Sequence, residues 1–312
     1  MSTEAKSPVA TTSIHAGTPP TGRRRPARAL IGWLPQEQAC GILAGVAQAA
    51  PFPAAIVERA AKAHASVAAR PAIGNPPSMV LSDPPAVLAA HIAELEAMPF
   101  FAPFKAEGWR PAVVDLRHIR ALQPVVHSDH AEERTRDGIQ SDLLSLARIT
   151  LPIARSKEMM HCESAPDGRR WTLTCRNPHL RILHPLQPDP TTFAKEEAKY
   201  DPKPFGFMIE QSRSYVKVIR WRGIYMLFDG YHRTHGLFLR GVYEVPVLFA
   251  EIPSQNDAPQ IPGLFVPAVY LSERPPYLLD YLNDDVSAAV EVQATQRSII
   301  IQALEADVPL LS

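Results

Sequence analysis

SYVKVIRWRGIYMLFDGYHRTHGLFLRGVYEVPVLFAEI, residues 214–252, decides how the chain is read. Tyr215, Val216, Val218 and Ile219 are β-branched or aromatic, the residue types that strands favour. Arg222-Gly223 is a two-residue turn that closes a hairpin. Ile224 to Phe228 is an unbroken apolar run, the pattern of a strand covered on both faces. Gly230 lets the backbone turn sharply. Tyr231 to Arg240 fits a helix with Leu237 and Phe238 facing inward, Gly236 allowing close packing and Gly241 as its stop. Val242 to Ile252 reads as the last strand, and Pro246 within it predicts an edge or a bulge.

The chemistry of this stretch gathers at Asp229-Gly230-Tyr231-His232-Arg233, where strand turns into helix. The first turn of a helix presents unpaired N–H groups and the positive end of the dipole, so a phosphate is favoured there. Gly230, Tyr231, Arg233 and His235 are therefore assigned to ligand binding, Arg233 as a two-pronged phosphate clamp. His235 falls one turn beyond Tyr231, on the same mouth. His232 is the candidate general acid or base, with Asp229 and Glu210 as the carboxylates for catalysis. On this reading Arg233→Ala weakens binding about ten- to a hundredfold and spares the fold. The opposing reading makes the turn structural: Asp229 caps the helix, and Arg233 pairs with Asp229 or Glu244.

The spelling of the turn, Asp229, Gly230, His232 and Arg233, followed by Gly241, Glu244, Val245, Pro246 and Val247, resembles the ParB/sulfiredoxin-like domain. A fainter echo lies in Val114-Asp115-Leu116-Arg117-His118-Ile119-Arg120 with Gln123-Pro124, read as that family's first strand and its polar turn. Two departures narrow what the resemblance implies. Tyr231 stands where sulfiredoxins carry the catalytic cysteine, so no thiolate is available for that reaction. After Ile252 the prolines at 253, 259, 262, 267, 275 and 276 leave no room for the helix-turn-helix of chromosome-partitioning members, which makes sequence-specific DNA an unlikely partner. What remains implied is a phosphate- or nucleotide-binding protein, a phosphotransferase or nucleotide hydrolase acting on a small molecule, with ATP or CTP and Mg as the candidate cofactors. The alternative is a non-catalytic binding or scaffold module, with a protein partner on the N-terminal helices.

Composition bounds these readings. Lys plus Arg equals Asp plus Glu at 32 each, so no net field draws the chain to nucleic acid or membrane. The 32 prolines in 312 residues are about twice the usual share and predict many turns and short elements. An odd count of 3 cysteines makes no disulfide framework, and no run of about 18 apolar residues predicts a membrane helix, so a cytoplasmic protein is expected. The expected class is α+β: a tail over 1–29, an Ala-rich helical region over 30–108, a mixed sheet with helices over 109–252, and a Pro-rich segment ending in a β-hairpin over 253–312. The tail, with its basic run Arg23-Arg24-Arg25, is expected to be disordered and removable without loss of folding.

Two further clusters can be read as sites. His161, Cys162, Cys175, His179 and His184 offer zinc-type ligands, but an Asp167-Gly168 turn would set Cys162 opposite Leu173 instead of Cys175. His127, Asp129 and His130, in VVHSDHAEER, can bind a metal or assist proton transfer. The plainer reading is a polar loop before a helix, with Ser128 or Asp129 as its N-cap.

Overall fold

A computed structural model describes residues 22–46, 51–72, 81–136, 142–154, 159–175, 180–186, 206–211, 213–254, 258–259, 263–295 and 297–304. In chain order the elements are β1 (Arg24–Ala29), α1 (Gln36–Ala44), α2 (Ala54–Ala68), β2 (Leu81–Ser82), α3 (Ala89–Ala97), α4 (Ala102–Ala106), β3 (Arg110–Asp115), β4 (Val125–His127), α5 (Ser128–Arg134) and α6 (Leu143–Thr150). There follow β5 (His161–Ser164), β6 (Arg170–Cys175), β7 (Leu180–Leu186), β8 (Gly206–Gln211), β9 (Lys217–Trp221), β10 (Ile224–Asp229), α7 (Tyr231–Phe238), β11 (Glu244–Ile252), α8 (Pro267–Tyr270), β12 (Ala288–Gln293) and β13 (Arg297–Gln302). The class is α+β.

The central sheet runs β10-β9-β11-β3-β2. β9 and β10 form the expected hairpin, Trp221 facing Ile224 across Arg222-Gly223. Both turn residues have positive φ, 49° and 79°, as the twist-matched two-residue turn requires. Arg222 is the only non-glycine with positive φ among the described residues. Its side chain lies over the Trp221 ring at 4.4 Å and donates to the Ser254 carbonyl at 3.0 and 3.1 Å, which offsets the backbone cost. β10 is last in the sheet, yet its outer edge is covered: Arg120 N–H donates to Tyr225 O and accepts from Leu227 N–H through its carbonyl. Tyr225, Met226 and Leu227 are buried, as the apolar run predicted.

α7 then carries the chain across so that β11 lies parallel to β9 and antiparallel to β3. Pro246 sits in a strand flanked on both sides, which departs from an edge position for the strand as a whole. The reason it is tolerated is local: β9 pairs only with Leu248 to Ile252, so at Pro246 the neighbour is β3 alone.

The N-terminal stretch corrects the expected tail. Arg24 to Ala29 is a strand between β12 and β4, with Ala27 and Ala29 buried. A sequence as polar as RRPARA is held by ladder bonds and by its arginines: Arg28 donates to Tyr281 O and Ser287 Oγ and pairs with Asp284 at 2.7 Å, and Arg25 pairs with Asp129 at 2.7 Å. The two C-terminal strands also form, but not as a hairpin. β12 pairs with β1, and β13 pairs with β6. Alternation marks a strand and says nothing about its partner, which here lies far away in the chain. β5 and β6 pair with Cys162 opposite Leu173, the expected register. α5 starts at Ser128 with His127 in the cap position and no side-chain cap, because Asp129 is held by Arg25 and by the His130 N–H.

The main hydrophobic core joins the N-terminal helices to the central sheet, while Leu173, Cys175, Leu180 and Ile299 form a separate cluster. Ala60 and Ala63 of α2, with Ala39 and Cys40 of α1, belong to the same cluster as Val218, Ile219, Met226, Leu237 and Val247. No single helix among the described residues is long and apolar enough to cross a membrane.

Candidate functional site

Gly230 makes the junction possible. Its φ is +98°, and a Cβ there would lie 2.8 Å from Val216 Cα, so neither the turn nor the packing admits a side chain. Asp229 accepts from the Gly230 N–H at 2.7 Å and faces Lys217 Nζ at 3.4 Å. Thr234 N–H is the first to close the α7 ladder, on Gly230 O at 3.0 Å. The amides of the preceding turn therefore lie outside that ladder, as at any helix start.

Within that turn the three side chains diverge. Tyr231 is buried, donates through its hydroxyl to Leu227 O and accepts from Leu122 N–H. Arg233 is only 7% exposed, and its Nη1 donates to the Ser214 carbonyl. Burial, with Arg134 adding to it, lowers Arg233 to about 10, while Asp229 and Tyr215 act in the opposite sense. Arg233 thus ties α7 to the entrance of β9, and the expected clamp on a ligand is not its observed bond. His235 faces inward against Tyr281, with ring centroids 5.9 Å apart, instead of opening on a mouth shared with Tyr231. Burial first, then Arg28, lower it to about 4. Glu210 pairs with Arg181 at 3.0 Å on the β7–β8 ribbon, and its charge is felt at Tyr215. The charges that act on His232 are those of His130, His127, Arg134 and Arg25.

His232 is the residue of the turn that meets others of its kind. Its ring lies 5.2 Å from that of His130 and 5.5 Å from that of His127, and those two are 5.7 Å apart. His127 ends β4 and His130 sits in the first turn of α5, so two helix starts and one strand end bring the three together. Close approach of α5 and α7 depends on Gly236, where a Cβ would come 2.5 Å from Ala131 O. All three histidines are partly exposed. Even so, His232 Nε2 and His127 Nδ1 are buried without a hydrogen-bond partner among the described residues. Each such atom costs about 1–3 kcal/mol relative to a paired one, and His235 Nδ1 and Tyr215 Oη, outside the trio, are in the same position.

The charged groups around the cluster are Arg25 and Arg134 on one side and Asp129 and Glu133 on the other. Burial is the largest influence on each ring, lowering His232 to about 3 and His130 to about 4, with His127 lowered as well. Arg25 pushes all three the same way, and Arg134 acts on His232. Asp129 opposes at His127 and His130, but its carboxylate is engaged by Arg25. At neutral pH the three imidazoles are thus uncharged.

Sequence reading identified His232 and noted His127 and His130 as a polar run, but nothing in the spacing joined positions about a hundred residues apart. Arg25 was hidden in the supposed tail. No group of three or more His, Cys, Asp or Glu side chains among the described residues is placed to hold a metal ion. Of the other zinc-type candidates, Cys162 is exposed and Cys175 buried, on different strands, and His179 lies outside the described residues. No protein-family model, curated protein or solved structure matches this chain.

Proposed function

We propose that the protein binds a phosphorylated small molecule or a nucleotide at the head of α7, between His232, His127 and His130. The observation that carries this reading is the histidine cluster itself: three rings within 5.7 Å of one another, with two buried ring nitrogens lacking partners among the described residues. The open amides of the α7 start and the charges of Arg25 and Arg134 favour an anion in the same place. A neutral imidazole can accept a proton from an attacking water, and a bound anion beside His232 would strengthen it as a base from its lowered value of about 3. A phosphotransferase or nucleotide hydrolase is the activity this chemistry supports, with His232 as base. The DGYHR turn is in keeping with a ParB/sulfiredoxin-like unit, in which ATP or CTP would bring Mg on its own phosphate oxygens. Three cysteines outside any disulfide suit a cytoplasmic setting.

The test is thermal denaturation with a panel of nucleotides and sugar phosphates, for wild type and His232→Ala. A ligand at a hundred times its dissociation constant adds about 2.7 kcal/mol of stability. The expected result is a shift in the wild type that His232→Ala loses while its circular dichroism is unchanged. Equal binding by both proteins would move the site elsewhere.

A second reading has its own support. Tyr231, Arg233 and Asp229 are all engaged inside the fold, as a structural turn in a scaffold or binding module would have them. On that reading no phosphorylated compound shifts the wild type.

A further inference from the structure

We propose that the outer edge of β13 is an interface between two copies of this chain. They pair strand against strand about a two-fold axis at Ile300 and join their three-stranded sheets into one of six. The pairing needs no ligand at the head of α7.

A strand at the end of a sheet leaves a row of N–H and C=O groups open to another chain. Proteins blunt such edges with charges, prolines, bulges, shortness or a cover. The other edges among the described residues are blunted in these ways. β10 is covered by Arg120, and β2 and β4 are two and three residues long. β5 carries Glu163 and β12 carries Glu291, both exposed. The β7–β8 ribbon has Arg181, Glu210, Pro185 and a bulge. β13 has none of these. It ends the order β13-β6-β5, pairs with β6 along all six residues, and makes no backbone bond on its outer side among the described residues. From Ser298 to Ala303 it has no ionisable side chain, and Ile300, in its middle, is 61% exposed. Its one charge, Arg297, donates to the Leu180 carbonyl at 3.4 Å and is engaged on the ribbon.

The spelling of the strand identifies its partner. Antiparallel pairing of β13 with itself about Ile300 sets Ile299 opposite Ile301, Ser298 opposite Gln302 and Arg297 opposite Ala303. Every isoleucine then faces an isoleucine, the kind of cross-strand pair that stabilises a sheet, and no charge faces a like charge. Such a contact uses the same patch on both copies, so it closes at two instead of growing into a fibre. Charge on the whole chain does not oppose it, since 32 basic residues balance 32 acidic ones. The faces of the sheet fit as well. Ile299 and Ile301 belong with Leu173, Cys175 and Leu180 to the small separate cluster, where only four side chains are buried. Trp171, opposite Ile301 on β6, is left 38% exposed. Pairing puts a second Ile299 and Ile301 on that same face and extends the cluster across the axis. One strand edge is a small interface, under about 1,200 Å² in total, so a dissociation constant on the order of micromolar is expected.

The experiment is sedimentation velocity of the full chain from about 1 to about 100 μM. The samples are wild type, Ile300→Lys, Ile300→Glu and an equimolar mixture of the two variants, with circular dichroism and thermal midpoints as folding controls. Ile300 is exposed, so both variants should fold as the wild type does. The wild type is expected to pass from monomer to dimer as concentration rises. Each variant alone sets like charges face to face on the axis and should weaken dimerisation at least about tenfold. The mixture sets Lys against Glu and should regain it, which neither a contact elsewhere nor a mere loss of apolar surface would produce. A wild type that stays monomeric at every concentration overturns the interface. So do variants that each dimerise as the wild type does, since the contact then lies elsewhere. A mixture as monomeric as its components overturns the pairing about Ile300, and growth beyond dimers overturns the closed two-fold contact. A variant that loses its fold removes only its own arm, because the wild-type series alone can overturn the interface.

Discussion

At the scale of single residues, Arg233 and His232 are neighbours with different surroundings. From the sequence Arg233 looked like the ligand clamp, because it falls in the first turn of a helix after Gly230. The structure sinks its guanidinium to 7% exposure and bonds it to the Ser214 carbonyl. Arg233→Ala should therefore destabilise the protein, leaving that carbonyl unpaired at a cost of about 1–3 kcal/mol, in place of a clean loss of binding. Urea denaturation reads this directly: an unchanged midpoint would show that the bond contributes nothing. Arg233→Lys should recover part of the loss, since an ammonium can reach the carbonyl but not fill the guanidinium's place. His232 was legible as a candidate because of its motif. Its companions were not, since His127 and His130 join it only through the packing of α5 on α7.

At the scale of elements, legibility depended on whether the signal was local. Arg222-Gly223, the β10 run, the Gly241 stop and the Cys162–Leu173 register are all written within a few residues, and the structure has each of them. β1 was missed because its apolar content is small and its stability comes from two flanking strands and arginine side chains. Gly236 is the local signal with the widest effect. A Cβ there would lie 2.5 Å from Ala131 O and 2.6 Å from Thr135 Oγ1, and backbone cannot give way as a flexible side-chain end would. Gly236→Ala should force α7 away from α5, costing about 1–3 kcal/mol as overpacking does. It should also part His232 from His130. The check is a lowered denaturation midpoint together with altered histidine ring signals; a variant as stable as the wild type with unshifted rings would show that the two helices can separate freely.

At the scale of the whole molecule, β1 and β12, far apart in the chain, are bound into one sheet. Deleting residues 1–29 removes the strand between β12 and β4 and the Arg28 bonds to Tyr281 and Ser287. Loss of cooperative unfolding is expected, whereas a tail would have been dispensable; calorimetry of the truncated chain distinguishes the two. The last prediction concerns acid. His127, His130, His232 and His235 are all held below their ordinary value of 6.5, with His130 and His235 at about 4 and His232 at about 3, burial being the chief cause. In the unfolded chain each would protonate as pH falls through about 6.5. In the folded protein His130 and His235 do not follow until about pH 4, so between these limits the unfolded state binds more protons and stability must fall as pH falls. Each fully lowered histidine contributes a slope of about 1.4 kcal/mol per pH unit in that window. The paired carboxylates do not account for it: Asp115, Asp129, Asp142 and Asp284 are lowered below 3.8, so their contribution is lost at more acid pH. Denaturation midpoints measured from pH 7.5 to 4.5 should decline with a slope that His130→Asn and His232→Asn each reduce. A flat profile in the wild type would mean that the rings are solvated in solution, and a profile unaffected by both substitutions would place the acid sensitivity in His235 and the core around Tyr281.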